Sequence, residues 1–292
     1  MKLYNRKVKL IVYAGNTART IEDLWIDFEV KASKSKQPNT AKITVWNLSD
    51  KTKGILADSH QAVEFYAGYG DTTTLIFSGE TTNVVNTEQG VDVQTTIYAG
   101  EGVKNFETKI FKKSYEAGTP VKTVFKDMAT EYGLPYTIDD ALFEDKLLKG
   151  VSYTGRVKDV LEKATKDYGF EWSVQRGVLE ILVEGNSIAT EPTAVVLRAD
   201  TGLIGSPAVI TRSAKGGKNV QGVRIVSLLN PSIVPGRLIK LEAVRTTQDE
   251  TDLFKKKANN LDASGVYIAQ RLRYYGNNHG GEFNVEIEAD IT

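Results

Sequence analysis

The sequence predicts a mainly β chain interrupted by one small α/β segment. Three observations carry this: apolar residues alternate with polar ones in both outer thirds, the spacing turns helical in the middle, and the helical unit occurs twice.

Residues 1 to about 105 read as strand after strand. Leu24, Ile26, Phe28 and Val30 alternate with Trp25, Asp27, Glu29 and Lys31, the pattern of a sheet with one buried face. A polar tip, Ser33 to Asn39, separates this strand from Ala41 to Trp46, which predicts a hairpin with a long basic loop. Ser49 is placed to cap a short helix through Ala57. Strands are then expected at Val63 to Gly68, Thr73 to Thr82 and Val91 to Ala99, and short strands joined by turn signals suggest a sandwich or barrel.

After Gly118 the texture changes. Pro120 is expected at the first helical position, followed by Val121, Val124, Phe125, Met128 and Tyr132 at helical spacing, with Gly133 closing the helix. The unit returns 36 residues later as Val157, Val160, Leu161, Ala164, Tyr168 and Gly169, and each glycine leads into a strand bearing an aromatic, Tyr136 or Trp172. Two copies are too few for a solenoid, so they read as a pseudo-symmetric α/β domain over 106–190, ending in a hairpin turned at Arg176-Gly177.

From about 191 the β texture resumes. Val220 to Leu229, Arg237 to Val244, Val266 to Tyr275 and Glu282 to Ile291 read as strands, the last two joined across Gly276 to Gly281. The charged stretch Thr246 to Ser264 reads as a solvated loop with a short helical turn at Asp252 to Ala258, a binding tail being the alternative.

Composition narrows the chemistry. A chain of 292 residues buries roughly 75% of its unfolded surface and needs no staple to fold. It has no cysteine, which excludes disulfides and thiolate sites and fits a reducing cytoplasm. Lys plus Arg and Asp plus Glu both number 37, with no long block of like charge, so no sequence-specific nucleic acid binding is expected. No apolar run approaches the roughly 20 residues of a membrane span, and the apolar start is too short for a signal peptide, so a soluble, unprocessed chain is expected.

The stock for catalysis is thin. His60 and His279 are the only histidines, and the acid pairs Asp139-Asp140 and Glu144-Asp145 read as soluble loop. Gly68-Tyr69-Gly70 has only part of a dinucleotide fingerprint and falls in a predicted turn. No catalytic residue, cofactor or metal site is assigned. Thirteen tyrosines and three tryptophans supply core or interface anchors, and Trp25 and Trp46 fall on outward faces that a second subunit would cover.

Taken together, Lys36-Gln37-Pro38-Asn39-Thr40-Ala41 with Ile43 to Ser49, Thr119-Pro120-Val121, Gly169-Phe170-Glu171-Trp172, Leu228-Leu229-Asn230-Pro231 with Pro235-Gly236, and His279-Gly280-Gly281-Glu282-Phe283 resemble the phage baseplate hub proteins of the late control protein D family. The chain is short for that family, and Phe283 stands where a tryptophan is common. The resemblance implies two tube-like β-barrel domains, 1–105 and 191–292, flanking the α/β domain. It also implies a homotrimer that joins the tail tube, or a tube adaptor, to a central spike protein, with the tape measure protein and baseplate wedge as further neighbours. Such a protein would be a virion component assembled in the host cytoplasm, and not an enzyme.

The expected interface residues are Trp25, Trp46, Lys34, Ser35, Lys36, Tyr274, Tyr275, Asn277 and His279, with Lys34 and Lys36 read equally well as a solvated hairpin tip. The rival functions are a sugar-binding adhesin module of a tail tip, using stacked aromatics, and a peptidoglycan hydrolase using an acid such as Glu144 or Asp145.

Overall fold

A computed structural model describes residues 5–15, 17–35, 37–58, 60–138, 149–183, 193–213, 219–242, 247–248 and 265–291. Lys36, both acid pairs and the Asp252 to Ala258 turn lie outside the described residues.

The first β region holds β1 (Arg6–Ala14), β2 (Thr17–Ile21), β3 (Ile26–Ser33), β4 (Thr40–Trp46), helix α1 (Asp50–Leu56), β5 (Ala62–Tyr69), β6 (Thr72–Gln89) and β7 (Asp92–Gly100). Alternation places Ile26, Phe28, Val30 and Ala32 of β3 inward. Ser49 caps α1, its hydroxyl accepting from the Thr52 N–H. β6 runs seven residues past the expected end at Thr82.

The middle holds α2 (Val103–Thr108), β8 (Ile110–Tyr115), α3 (Val121–Tyr132), β9 (Tyr136–Ile138), β10 (Val151–Arg156), α4 (Val157–Tyr168), β11 (Phe170–Gln175) and β12 (Val178–Val183). The repeat is visible here: α3 and α4 each end on a left-handed glycine, Gly133 or Gly169, that turns the chain into a strand. Pro120 is the N-cap rather than the first helical residue, because its ψ of 132° is extended. This region has its own core around Phe125, Met128, Tyr132, Leu161 and Trp172.

The last region holds β13 (Val195–Leu197), β14 (Leu203–Ser213), β15 (Asn219–Leu228), β16 (Leu238–Leu241), β17 (Thr247–Gln248), β18 (Gly265–Asn277) and β19 (Phe283–Ile291). Its strand order repeats that of the first region. The antiparallel series β3-β4-β7-β6-β5 has its counterpart in β14-β15-β19-β18-β16, with the same chain connections.

The two β regions join edge to edge. β3 pairs with β18 from Ser33 opposite Arg271 to Asp27 opposite Asn277, so one sheet runs from β2 to β17. One hydrophobic cluster spans both regions, with Phe283 packed edge-on against Phe28 and Tyr69. Among the described residues, no helix is long and apolar enough to cross a membrane.

Candidate assembly interface

Four of the expected interface residues, Trp25, Trp46, Asn277 and His279, converge at one end of the β3–β18 junction. The Trp25 indole is 47% exposed; it stacks on the His279 ring with centroids 5.2 Å apart and packs at 5.5 Å against half-buried Trp46. Its Nε1 donates to Asp27 at 3.1 Å. A side chain of the β18–β19 turn fixes this patch: Asn278 Oδ1 accepts from the Ile26 N–H at 3.0 Å and its Nδ2 donates to the Leu24 carbonyl at 2.8 Å. Asn277 Oδ1 accepts from the N–H groups of His279 and Gly280, which closes the turn.

The other expected residues separate. Tyr275 lies under the Arg273 guanidinium, 4.4 Å from its ring centroid, on the sheet surface. Tyr274 points the opposite way and is 1% exposed, its hydroxyl donating to the Ile233 carbonyl, so it is a core residue and presents nothing outward. Period-2 alternation already separates the two, since Leu272 and Tyr274 share one face and Arg273 and Tyr275 the other.

The hairpin tip is also not a free solvated loop. Ser35 is exposed and shares a hydroxyl hydrogen bond with Ser33, but the Lys34 side chain is only 8% exposed and pairs with Glu171 of β11. Beside it lies a buried polar knot that the sequence reading missed. Asn39 Nδ2 shares its two N–H groups among Glu101 Oε2 (3.1 Å), Gln175 Oε1 (3.0 Å) and the Val174 carbonyl (2.9 Å), and the Arg176 N–H also reaches Glu101 Oε2 at 2.9 Å. Gln175 Nε2 donates to the Ser33 carbonyl, and Arg176 Nη2 donates to the Pro231 carbonyl. The Arg176-Gly177 turn, with positive φ at both residues, therefore plugs the α/β region into both β regions.

Burial pushes the Glu101 carboxyl up to about 8, against the hydrogen bonds from Asn39, Ser78 and Arg176 that favour its charged form. Burial likewise raises Glu180 to about 7, with Lys34 and Arg176 opposing it. Two grooves flank the tip: one of about 380 Å³ against β18 and β19, and one of about 790 Å³ against α4 and β11.

The outward face of the last region and β3 carries a cross-strand charge ladder. Arg224 pairs with Glu286 and Glu288, Arg271 with Glu288, and Arg273 with Glu29 and Glu286. Partial burial works to raise the Glu29 carboxyl, but Arg273 and Lys31 outweigh it and hold it below its ordinary value. Exposed pairs of this kind are each worth about 0–1 kcal/mol, and alternating signs leave the face without a strong field of either sign. Among the described residues, no group of three or more His, Cys, Asp or Glu side chains is arranged to hold a metal.

Solved structures share this fold. A tail protein from Neisseria meningitidis MC58 aligns with a TM-score of 0.63 at 9% identity, covering 98% of this chain and 97% of that one. The 43 kDa tail protein of prophage MuSo2 from Shewanella oneidensis aligns with a TM-score of 0.63 at 8% identity, covering 97% and 98%. The E. coli c3393 protein, a type VI secretion component described as structurally similar to the T4 tail proteins gp27 and gp5, aligns with a TM-score of 0.61 at 10% identity, covering 97% and 76%. No curated protein sequence matches the chain. The family model described as baseplate hub gp41 matches residues 18–244, most of the chain, and the protein belongs to that family of phage tail baseplate hubs.

Proposed function

We propose that this hub acts as a mechanical adaptor, three copies closing into a ring that joins the tail tube on one side to a central spike protein on the other. The observation that carries the reading is the strand order used twice in one continuous sheet, so that each copy offers two equivalent β units and three copies offer six. A part with threefold and pseudo-sixfold character fits between a threefold spike and a sixfold tube. The role is structural and not catalytic. The ring sits in the virion after assembly in the host cytoplasm, and the tape measure protein and baseplate wedge are its further neighbours.

The aromatic patch around Trp25 and the hairpin tip with Ser35 supply contact surface to these neighbours. Light scattering of the purified chain over a range of concentrations is expected to reveal a species of three times the 32.2 kDa chain. Counting copies per purified tail by quantitative mass spectrometry is expected to give three; any other number overturns the trimeric ring.

A further inference from the structure

The last third of β6 is an unguarded sheet edge. From Asn83 to Gln89 it pairs with β7 on one side, while β5 stops opposite Glu80 and, among the described residues, no strand follows it. The segment contains no Lys, Arg or Pro, its side chains are almost all exposed, and the hairpin ends in Val91, which is 99% exposed. Natural edges are usually blunted by charge, proline or brevity, and this one is long and near neutral.

The repeated strand order shows what belongs there. β18 is the counterpart of β6: the first part of each pairs with an earlier strand, β16 or β5, and each has a register shift against its hairpin partner, at Ala269/Arg271 or Thr81/Asn83. Beyond that shift, residues Arg271 to Asn277 of β18 seat β3. The counterpart of β3 is β14, which already pairs with β18's own neighbourhood only through β15 and β19 and does not reach β6.

We infer that the Asn83 to Gln89 edge seats β14 of a second copy, antiparallel and in the register of the β3–β18 junction. Glu29 lies opposite Lys42, which lies opposite Tyr98, which lies opposite Asn83; the matching path through the last region runs Ala208, Arg224, Glu288, Arg271. Since Tyr275 faces Glu29 and Arg273 faces Lys31 within the chain, Thr87 faces Ala208 of the second copy and Val85 faces its Ile210, both clear of the register shift between Ile204 and Ala208. In the single chain, among the described residues, the outer edge of β14 carries the two-residue β17 at Ala208 and Val209, which the incoming strand replaces. This rests on the ring reading above and specifies how the ring closes.

Because the chain has no cysteine, the register can be read by disulfide formation. The full chain carrying Thr87→Cys with Ala208→Cys, and a second one carrying Val85→Cys with Ile210→Cys, is oxidised and run without reductant. Both pairs are expected to give covalent multimers up to the closed ring, while Thr87→Cys with Val209→Cys, one residue out of register and on the opposite face, is expected to stay largely uncrosslinked. If the wild-type chain forms rings by light scattering but neither in-register pair crosslinks, or the shifted pair crosslinks as well, the edge assignment falls and the ring stands. If no copies associate, either alone or in purified tails, the ring falls and the edge assignment falls with it.

Discussion

Trp25 stacks on His279 with their planes 7° from parallel, so the residue that leads into β3 and one from the β18–β19 turn form a single surface. Asn278, between the sheet and that turn, holds both in place through its two backbone hydrogen bonds.

Asn278→Ala removes both bonds and leaves a partly buried N–H and carbonyl to find water. A loss of about 1–3 kcal/mol in urea unfolding is expected. Trp25→Ala is expected to leave folding within about 1 kcal/mol while lowering incorporation into tails, since truncating an interface aromatic costs about 2 kcal/mol or more of binding. Unchanged tail assembly would remove the patch from the interface.

Asn39 is the donor on which the polar knot depends. Asn39→Ala leaves Glu101 Oε2, Gln175 Oε1 and the Val174 carbonyl each short of a buried donor. The expected cost is about 2–4 kcal/mol, with early protease cleavage in the α/β region as the accompanying sign that its attachment has loosened.

Glu101 sets a pH dependence. Its folded pKa of about 8 lies above its unfolded value of 4.5, so between those values the folded chain holds a proton that the unfolded chain has released. Stability from this group is therefore full below about pH 4.5 and falls as pH rises to about 8, by at most about 5 kcal/mol at about 1.4 per pKa unit. Glu180 acts in the same direction up to about pH 7. Glu101→Gln is expected to flatten the profile of denaturation midpoint against pH and to gain on the wild type above pH 8.

Lys34 and Glu171 form a largely buried pair across two regions. Lys34→Ala is expected to destabilise by about 1–3 kcal/mol, because it strands a carboxylate and opens space along the former stem. Lys34→Met, which keeps the stem, is expected to cost less. A double-mutant cycle with Glu171→Gln isolates the pair; a coupling of zero would reduce Lys34 to packing alone.

Strands such as β3 and β18 were legible because one face is buried and the apolar residues recur every second position. The extension of β6 beyond Thr82 was not, because apart from half-buried Val84 the residues Asn83 to Gln89 are exposed and no alternation is selected there. Lys34, Asn39, Glu101 and Arg176 sit in segments whose local chemistry is that of ordinary polar turns. Their burial arises from contacts between residues far apart in the chain, which no spacing rule encodes. Trp25 and Trp46 were legible as outward residues, yet their meeting with His279 required the β3–β18 register.

The two attachments inside the chain respond differently to load. Along the β3–β18 seam, backbone hydrogen bonds from Ser33 to Asp27 lie side by side and share a pull along the strands, so the β regions yield as one body. The α/β region is held by side-chain contacts, namely the Asn39, Gln175 and Arg176 hydrogen bonds and the Lys34 pair, where losing one contact exposes the next. Under load the α/β region is therefore expected to come away before the β3–β18 seam yields.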